Sequence, residues 1–187
     1  MNPSAEQIKK INHFSKVQIE SCQKIANVVE LKTCEPKEHL FKEGDTGDTM
    51  ILVFQGQVEV SKDMMVKTSS GFTTSRKSII RLETTDPRPS KPPEINSTVF
   101  IVEAPAFGIG EFSLVLDNAI RTAHVHSTTP LQYGVLKLDD FTDIVKENPG
   151  IGGNVYFEVA KAAVKNLATV SGDVSNLTQA FFYALSR

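Results

Sequence analysis

Gly110-Glu111 and, ten positions on, Arg121-Thr122 are the residues of this chain best suited to chemistry on a small anionic ligand. Glycine lets main chain approach a bound molecule closely. A carboxylate accepts hydrogen bonds from hydroxyls, and a guanidinium grips phosphate oxygens through paired donors. Between the two pairs lie Phe112, Leu114, Val115 and Leu116. Their spacing predicts a short apolar turn anchored in a core, with its first amides free to face an anion. The ligand would carry hydroxyls and one anionic phosphate.

Such groups need a scaffold, and 187 residues, 40% of them apolar, suffice for one well-filled domain. A net charge of −2 leaves no footprint for nucleic acid. No apolar run nears the roughly 20 residues that span a bilayer, and the N-terminus lacks a signal-peptide stretch. The two cysteines, Cys22 and Cys34, form no Cys-x-x-Cys pair. A cytoplasmic protein without disulfides or structural zinc is therefore expected.

Residues 1–30 carry helical periodicity, opened by the capping-box pair Ser4 and Gln7 and followed by Ile8, Ile11 and Phe14. Over 31–138 the period shortens to that of strands. Val58 and Val60 alternate with Gln57 and Glu59, which predicts a sheet with one wet face. Residues 84–97 hold four of the nine prolines and predict a mobile surface loop joining two arms, Lys77–Leu82 and Thr98–Val102. Asp139 or Asp140 would cap a helix ended by Asn148-Pro149. Gly150, Gly152 and Gly153 predict a flexible joint, followed by a helix to Val170. Ser171-Gly172-Asp173 predicts a break before a last helix with Val174, Leu177, Phe181 and Leu185 on one side.

Three motifs, in order, resemble the cyclic nucleotide-binding domain family. Phe41-x-x-Gly44-Asp45-x-x-Asp48-x-Met-Ile-Leu-Val-x-x-Gly56-x-Val58-x-Val60 is similar to the family's early strand–turn–strand signature. Gly110-Glu111-x-Ser113-Leu114 with Arg121-Thr122-Ala123 resembles its phosphate-binding cassette. Leu136-x-Leu138-x-x-x-Phe141-x-x-Ile144-Val145-x-x-x-Pro149 resembles the strand-to-hinge-helix segment. The match runs from about Phe14 to Val170, and the Glu111-to-Arg121 spacing is nearer the catabolite activator branch than the protein-kinase regulatory subunits.

The resemblance implies a mainly β fold with flanking helices: an antiparallel β-roll (jelly roll, or double-stranded β-helix) with N-terminal helices and C-terminal hinge and lid helices. It implies a domain over 1–170, hinge and lid at 139–170, and a helical extension at 171–187. The ligand would be cyclic AMP or cyclic GMP, with no cofactor. Glu111 would hold the ribose 2′-hydroxyl and Arg121 the cyclic phosphate. Gly110, Ala123 and the amides around Phe112, Ser113 and Thr122 would complete the cradle. Asn166 or Thr169, on the lid helix, would touch the base. Departures are Ala106 in place of glycine, Ile120 before the arginine, and a longer loop between the middle strands. Only 17 residues follow Val170, too few for a helix-turn-helix reader, so a stand-alone regulatory protein is expected. Its output would reach a protein partner, or a second copy in a homodimer, through the C-terminal helices.

Two other classes compete. In a degenerate cassette Glu111 and Arg121 would pair with each other, leaving a ligand-free interaction module. His124-x-His126 is the pattern of a metal-dependent cupin-like enzyme, but such a site needs a further histidine and a carboxylate. His13 falls in a predicted helix and His39 before an early strand. Ala123 and Val125 should face the core, which turns His124 and His126 outward as a surface pair. Asp45 and Asp48 fit a turn held by side-chain-to-backbone bonds. No nucleophile–base arrangement occurs, so no catalytic or metal-binding residues are expected and the protein is not an enzyme.

Overall fold

The computed structural model describes residues 2–69, 71–89 and 99–185. The expected proline-rich loop lies outside the described residues over 90–97.

The capping box forms as the sequence predicts. Gln7 N–H donates to Ser4 Oγ at 3.2 Å, and Ser4 N–H donates to Gln7 Oε1 at 2.9 Å, opening α1 (Ala5–Lys9). The helix is short because Ile11 leaves it to bridge Ala106, and a 3-10 turn follows over Asn12–Phe14. Ile8, Ile11 and Phe14 are nonetheless fully buried. Ser4→Ala should lower stability by about 1 kcal/mol, read from a denaturant melt. α2 (Ile19–Val28) then buries Cys22, Ile25 and Ala26.

The strands are β1 (Glu30–Cys34), β2 (His39–Phe41), β3 (Thr46–Gly47), β4 (Thr49–Gln55), β5 (Gln57–Thr68), β6 (Gly71–Thr84), β7 (Phe100–Ala104), β8 (Phe107–Ile109), β9 (Ala119–Ile120), β10 (His124–Ser127) and β11 (Leu131–Lys137). They assemble as β1-β11-β4-β8, β2-β10-β5-β6-β7 and the small pair β3-β9. This is the expected β-roll. β4 shows how it is held. Its unbroken apolar run is buried on both faces, with Met50, Leu52 and Phe54 against the helices and Ile51 and Val53 inside the roll.

Two expectations about the strands change. Gln57 and Glu59 do not face water. Gln57 Nε2 donates to Glu83 at 2.5 Å, and Glu59 pairs with Arg81 at 2.7 Å and accepts from Ser78 at 2.6 Å. Alternation along one strand cannot reveal that its neighbours supply partners for Gln57 and Glu59. The arms around the proline-rich segment also pair in parallel, Ile80 opposite Phe100 through Thr84 opposite Ala104.

α3 (Leu138–Glu147) starts one residue after Lys137, its cap. Asp139 and Asp140 lie in its first turn, where carboxylates suit the helix dipole, rather than capping it. α4 runs unbroken over Pro149–Leu185. The expected joint at Gly150–Gly153 is thus helix, entered at Pro149 in the favoured first position. Gly152 is there for packing: a Cβ on it would lie 2.6 Å from Val145 Cγ1. Nor does Ser171-Gly172-Asp173 break the chain, since one helical glycine costs only about 1 kcal/mol. Ile151, Val155 and Val159 anchor α4, whose ring Tyr156 meets Phe141 edge-on at 5.8 Å. From Val164 onward its apolar residues are exposed, Leu167 at 65% and Leu177 at 71%. Among the described residues no helix is long and apolar enough to cross a membrane.

Candidate functional site

β8 delivers Gly110 into a left-handed turn (φ 79°) that caps a 3-10 turn, Glu111–Leu114. The apolar anchor is smaller than expected. Leu114 is buried and Phe112 packs against the core, whereas Val115 and Leu116 are exposed. The β3–β9 pair brings Arg121 to the same place. Arg121 N–H donates to Asp45 O at 2.8 Å, and Gly44 N–H donates to Arg121 O at 2.9 Å. Main-chain bonds, rather than the expected aspartate side chains, hold that turn.

Arg121 is only 8% exposed. Its Nη1 donates to Ser113 Oγ at 2.9 Å, and Nη2 donates to Thr49 O at 2.8 Å and Thr49 Oγ1 at 3.1 Å. The guanidinium carbon lies 3.7 Å from the centre of the Phe41 ring. A Cβ on Gly47 would collide with the guanidinium, and one on Gly110 would sit 2.5 Å from Nη1. Every contact is therefore neutral. Burial pushes the Arg121 pKa down, opposed by the fields of Asp48 and Asp45. Among the described residues no ion pair joins Arg121 to Glu111, which rules against the mutually paired, collapsed cassette. Glu111 has no hydrogen-bond or ion-pair partner among them either.

These groups line a cavity of about 320 Å³. Gly110, Glu111, Phe112, Ser113, Arg121, Thr122, Ala123 and Asn166 all border it. Thr169 does not, because its hydroxyl turns along α4 and donates to Lys165 O at 3.1 Å. The Ser113 amide is spent on Gly110 O at 3.1 Å, while among the described residues the Thr122 and Ala123 amides have no protein acceptor. Val60, Leu82 and Val125 form the apolar floor. Sequence spacing did not mark Thr49, Phe41 or Leu82 as part of this site; only the fold brings them to it. On the far side of the Arg121–Phe41 stack a second cavity, of about 450 Å³, opens beside Tyr133 and Lys42.

His124 corrects an expectation. It is buried rather than outward, accepting from Glu43 N–H at 3.1 Å and lying 3.2 Å from Asp63 and 3.1 Å from Arg76. The long β5–β6 hairpin covers the face that strand alternation assigned to solvent. His126 is half-buried beside Glu59. Among the described residues no three metal-ligating side chains cluster. Burial raises the pKa of Cys22 and Cys34, which keeps both as unreactive thiols.

No protein-family model and no curated protein matches the chain. Solved structures do. The N-terminal domain of a transcriptional regulator from Streptomyces coelicolor A3(2) is 19% identical with a TM-score of 0.62, covering 88% of this chain and 94% of that one. The catabolite activator protein of Thermus thermophilus is 16% identical with a TM-score of 0.63, covering 89% of this chain and 62% of that one. A cyclic nucleotide-binding domain from Methylobacillus flagellatus is 20% identical with a TM-score of 0.57, covering 88% and 76%. The chain has the fold of cyclic nucleotide-binding domains.

Proposed function

We propose that the protein is a non-catalytic sensor of a cyclic mononucleotide, cyclic AMP or cyclic GMP, that signals through α4. One observation carries this reading. A buried guanidinium, with no contacting anion among the described residues, faces a cavity whose wall also holds Glu111, a carboxylate without a hydrogen-bond or ion-pair partner among them. Burying a cation among neutral partners is costly, and an incoming phosphate would relieve that cost. The Nε–H and one Nη1 hydrogen of Arg121 have no protein acceptor among the described residues. Together with the Thr122 and Ala123 amides they suit the phosphate oxygens. Glu111 suits a ribose hydroxyl, and the apolar floor with Asn166 suits the base. The cavity volume lies within the usual range for small-ligand pockets.

Glu111→Gln keeps the shape and the hydrogen-bonding oxygen but loses the charge. It should weaken binding several-fold, about 1 kcal/mol, less than removing Arg121. Calorimetric titration with cyclic AMP and cyclic GMP measures this, and a larger loss than for Arg121→Ala would reverse the assignment of the dominant contact. Cyclic dinucleotides serve as controls; no heat with any of these nucleotides would favour the ligand-free module.

For output, the turn Glu111–Leu114 packs through Leu114 into the same core as Phe141, Ile144 and Val155. Ligand occupancy can therefore alter how α3 and α4 seat, provided the ligand binds one seating more tightly than the other. The partner best suited to α4 is a second copy. Ala163, Leu167, Val170, Val174, Leu177 and Phe181 alternate at spacings of four and three, the period of a two-helix seam. Between Ala162 and Leu185 only Lys165 and Asp173 are charged. Identical seams are self-complementary about a two-fold axis.

A further inference from the structure

His13 is a buried side chain behind the cavity that the proposed function leaves unused. It sits in the 3-10 turn Asn12–Phe14, 5% exposed, packed between β8 and α4. Among the described residues neither ring nitrogen has a hydrogen-bond partner. A buried polar group in that condition calls for an explanation. On one side lies Gly108, so close that a Cβ there would stand 3.2 Å from Nδ1. Gly108 also lines the ligand cavity, so one glycine separates the imidazole from it.

Two carboxylates lie near enough to act on the ring's charge. Glu111 comes from the cassette turn and Glu158 from α4, the latter also held by Lys161 at 3.1 Å. Burial lowers the His13 pKa from 6.5, and both carboxylates oppose that shift. Burial thus favours the neutral ring, and acidification charges it. From β4, Met50 closes the space around Gly108 and brings no charge.

We propose that His13 is a positioning residue for the ligand site: neutral, it leaves Glu111 free for the ligand's hydroxyls; protonated, it draws Glu111 and Glu158 toward itself. The second state ties the cassette to the long helix and withdraws a contact from the cavity. The inference rests on the cyclic-nucleotide reading of that cavity.

The test is the affinity for cyclic AMP and cyclic GMP measured from pH 8 to pH 5.5. In the wild type the dissociation constant should be level while His13 is neutral and rise once acidification charges it, by up to about tenfold per pH unit, the limit for one proton. His13→Gln, which cannot take up that proton, should flatten the profile; His13→Phe serves if the glutamine variant folds poorly. His126, whose pKa burial also lowers, is present in every variant and contributes equally to all. Parallel pH profiles in wild type and both variants would overturn the proposal. A second readout needs no nucleotide. The imidazole midpoint of His13, followed by NMR in the free protein, should fall further in Glu111→Gln and in Glu158→Gln. A midpoint indifferent to both overturns the proposal. Absence of nucleotide binding at every pH, with a midpoint still sensitive to Glu111, overturns the ligand reading and upholds the His13–Glu111 coupling.

Discussion

Arg121→Ala should weaken cyclic-mononucleotide binding by ten- to a hundredfold or more, the equivalent of about 1.5–3 kcal/mol for a lost charge-assisted contact. The loss should far exceed any change in folding stability. Among the described residues the Arg121 side chain hydrogen-bonds only to Ser113 and Thr49 and stacks on Phe41, so its removal breaks no ion pair. Arg121→Lys should restore little. Lysine keeps the charge but presents it as a point, without the planar group that stacks on Phe41 and spans Ser113 and Thr49 together. Titration calorimetry on both variants checks the order, with a melt on each to confirm folding. Equal affinity for wild type and Arg121→Ala would remove the guanidinium from the site.

Substituting the exposed seam of α4 should have the larger energetic effect, on self-association. Burying a leucine side chain is worth about 1.5–3 kcal/mol, and a symmetric dimer loses it twice. Leu167→Asp should therefore raise the dimer dissociation constant by about two to four orders of magnitude. Leu177→Asp should behave likewise, whereas Lys165→Asp, off the seam, should change little. Sedimentation equilibrium over a micromolar concentration range reads this directly. A wild type that stays monomeric throughout would exclude the second copy as the partner of α4. Circular dichroism of each variant separates loss of pairing from loss of helix.

That Gly110, Glu111, Arg121 and Thr122 border one cavity was legible because they sit within one short segment, where local spacing carries the information. The strands were legible for a related reason: the apolar run Met50–Phe54 and the alternation at Val58 and Val60 are properties of single strands, whereas their closure into a β-roll was implied by the resemblance of three motifs to the cyclic nucleotide-binding domain family. What was missed depends on who the neighbours are. His124 was assigned outward by alternation, yet Asp63 and Arg76 arrive on a hairpin that extends past the sheet. Gln57 and Glu59 were assigned to solvent, yet β6 presents Glu83, Arg81 and Ser78 to them. The glycines at 150–153 suggested a joint because propensity speaks against a helix there. Packing of Ile151, Gly152 and Val155 outweighs propensity, and Gly152 serves close approach to Val145. His13 carried no signal at all, since its lack of partners is a tertiary fact.

The continuity of α4 has a mechanical consequence. The helix is about 55 Å long, anchored over its first three turns, while about 39 Å extend beyond Val159. A rod fixed at one end magnifies rotation at its base: a tilt of about 10° would sweep the tip by about 7 Å, more than one helical pitch. Small shifts where Ile151, Val155 and Val159 seat the helix would thus be enlarged at Phe181. A break at Gly172 would have dissipated that amplification as bending.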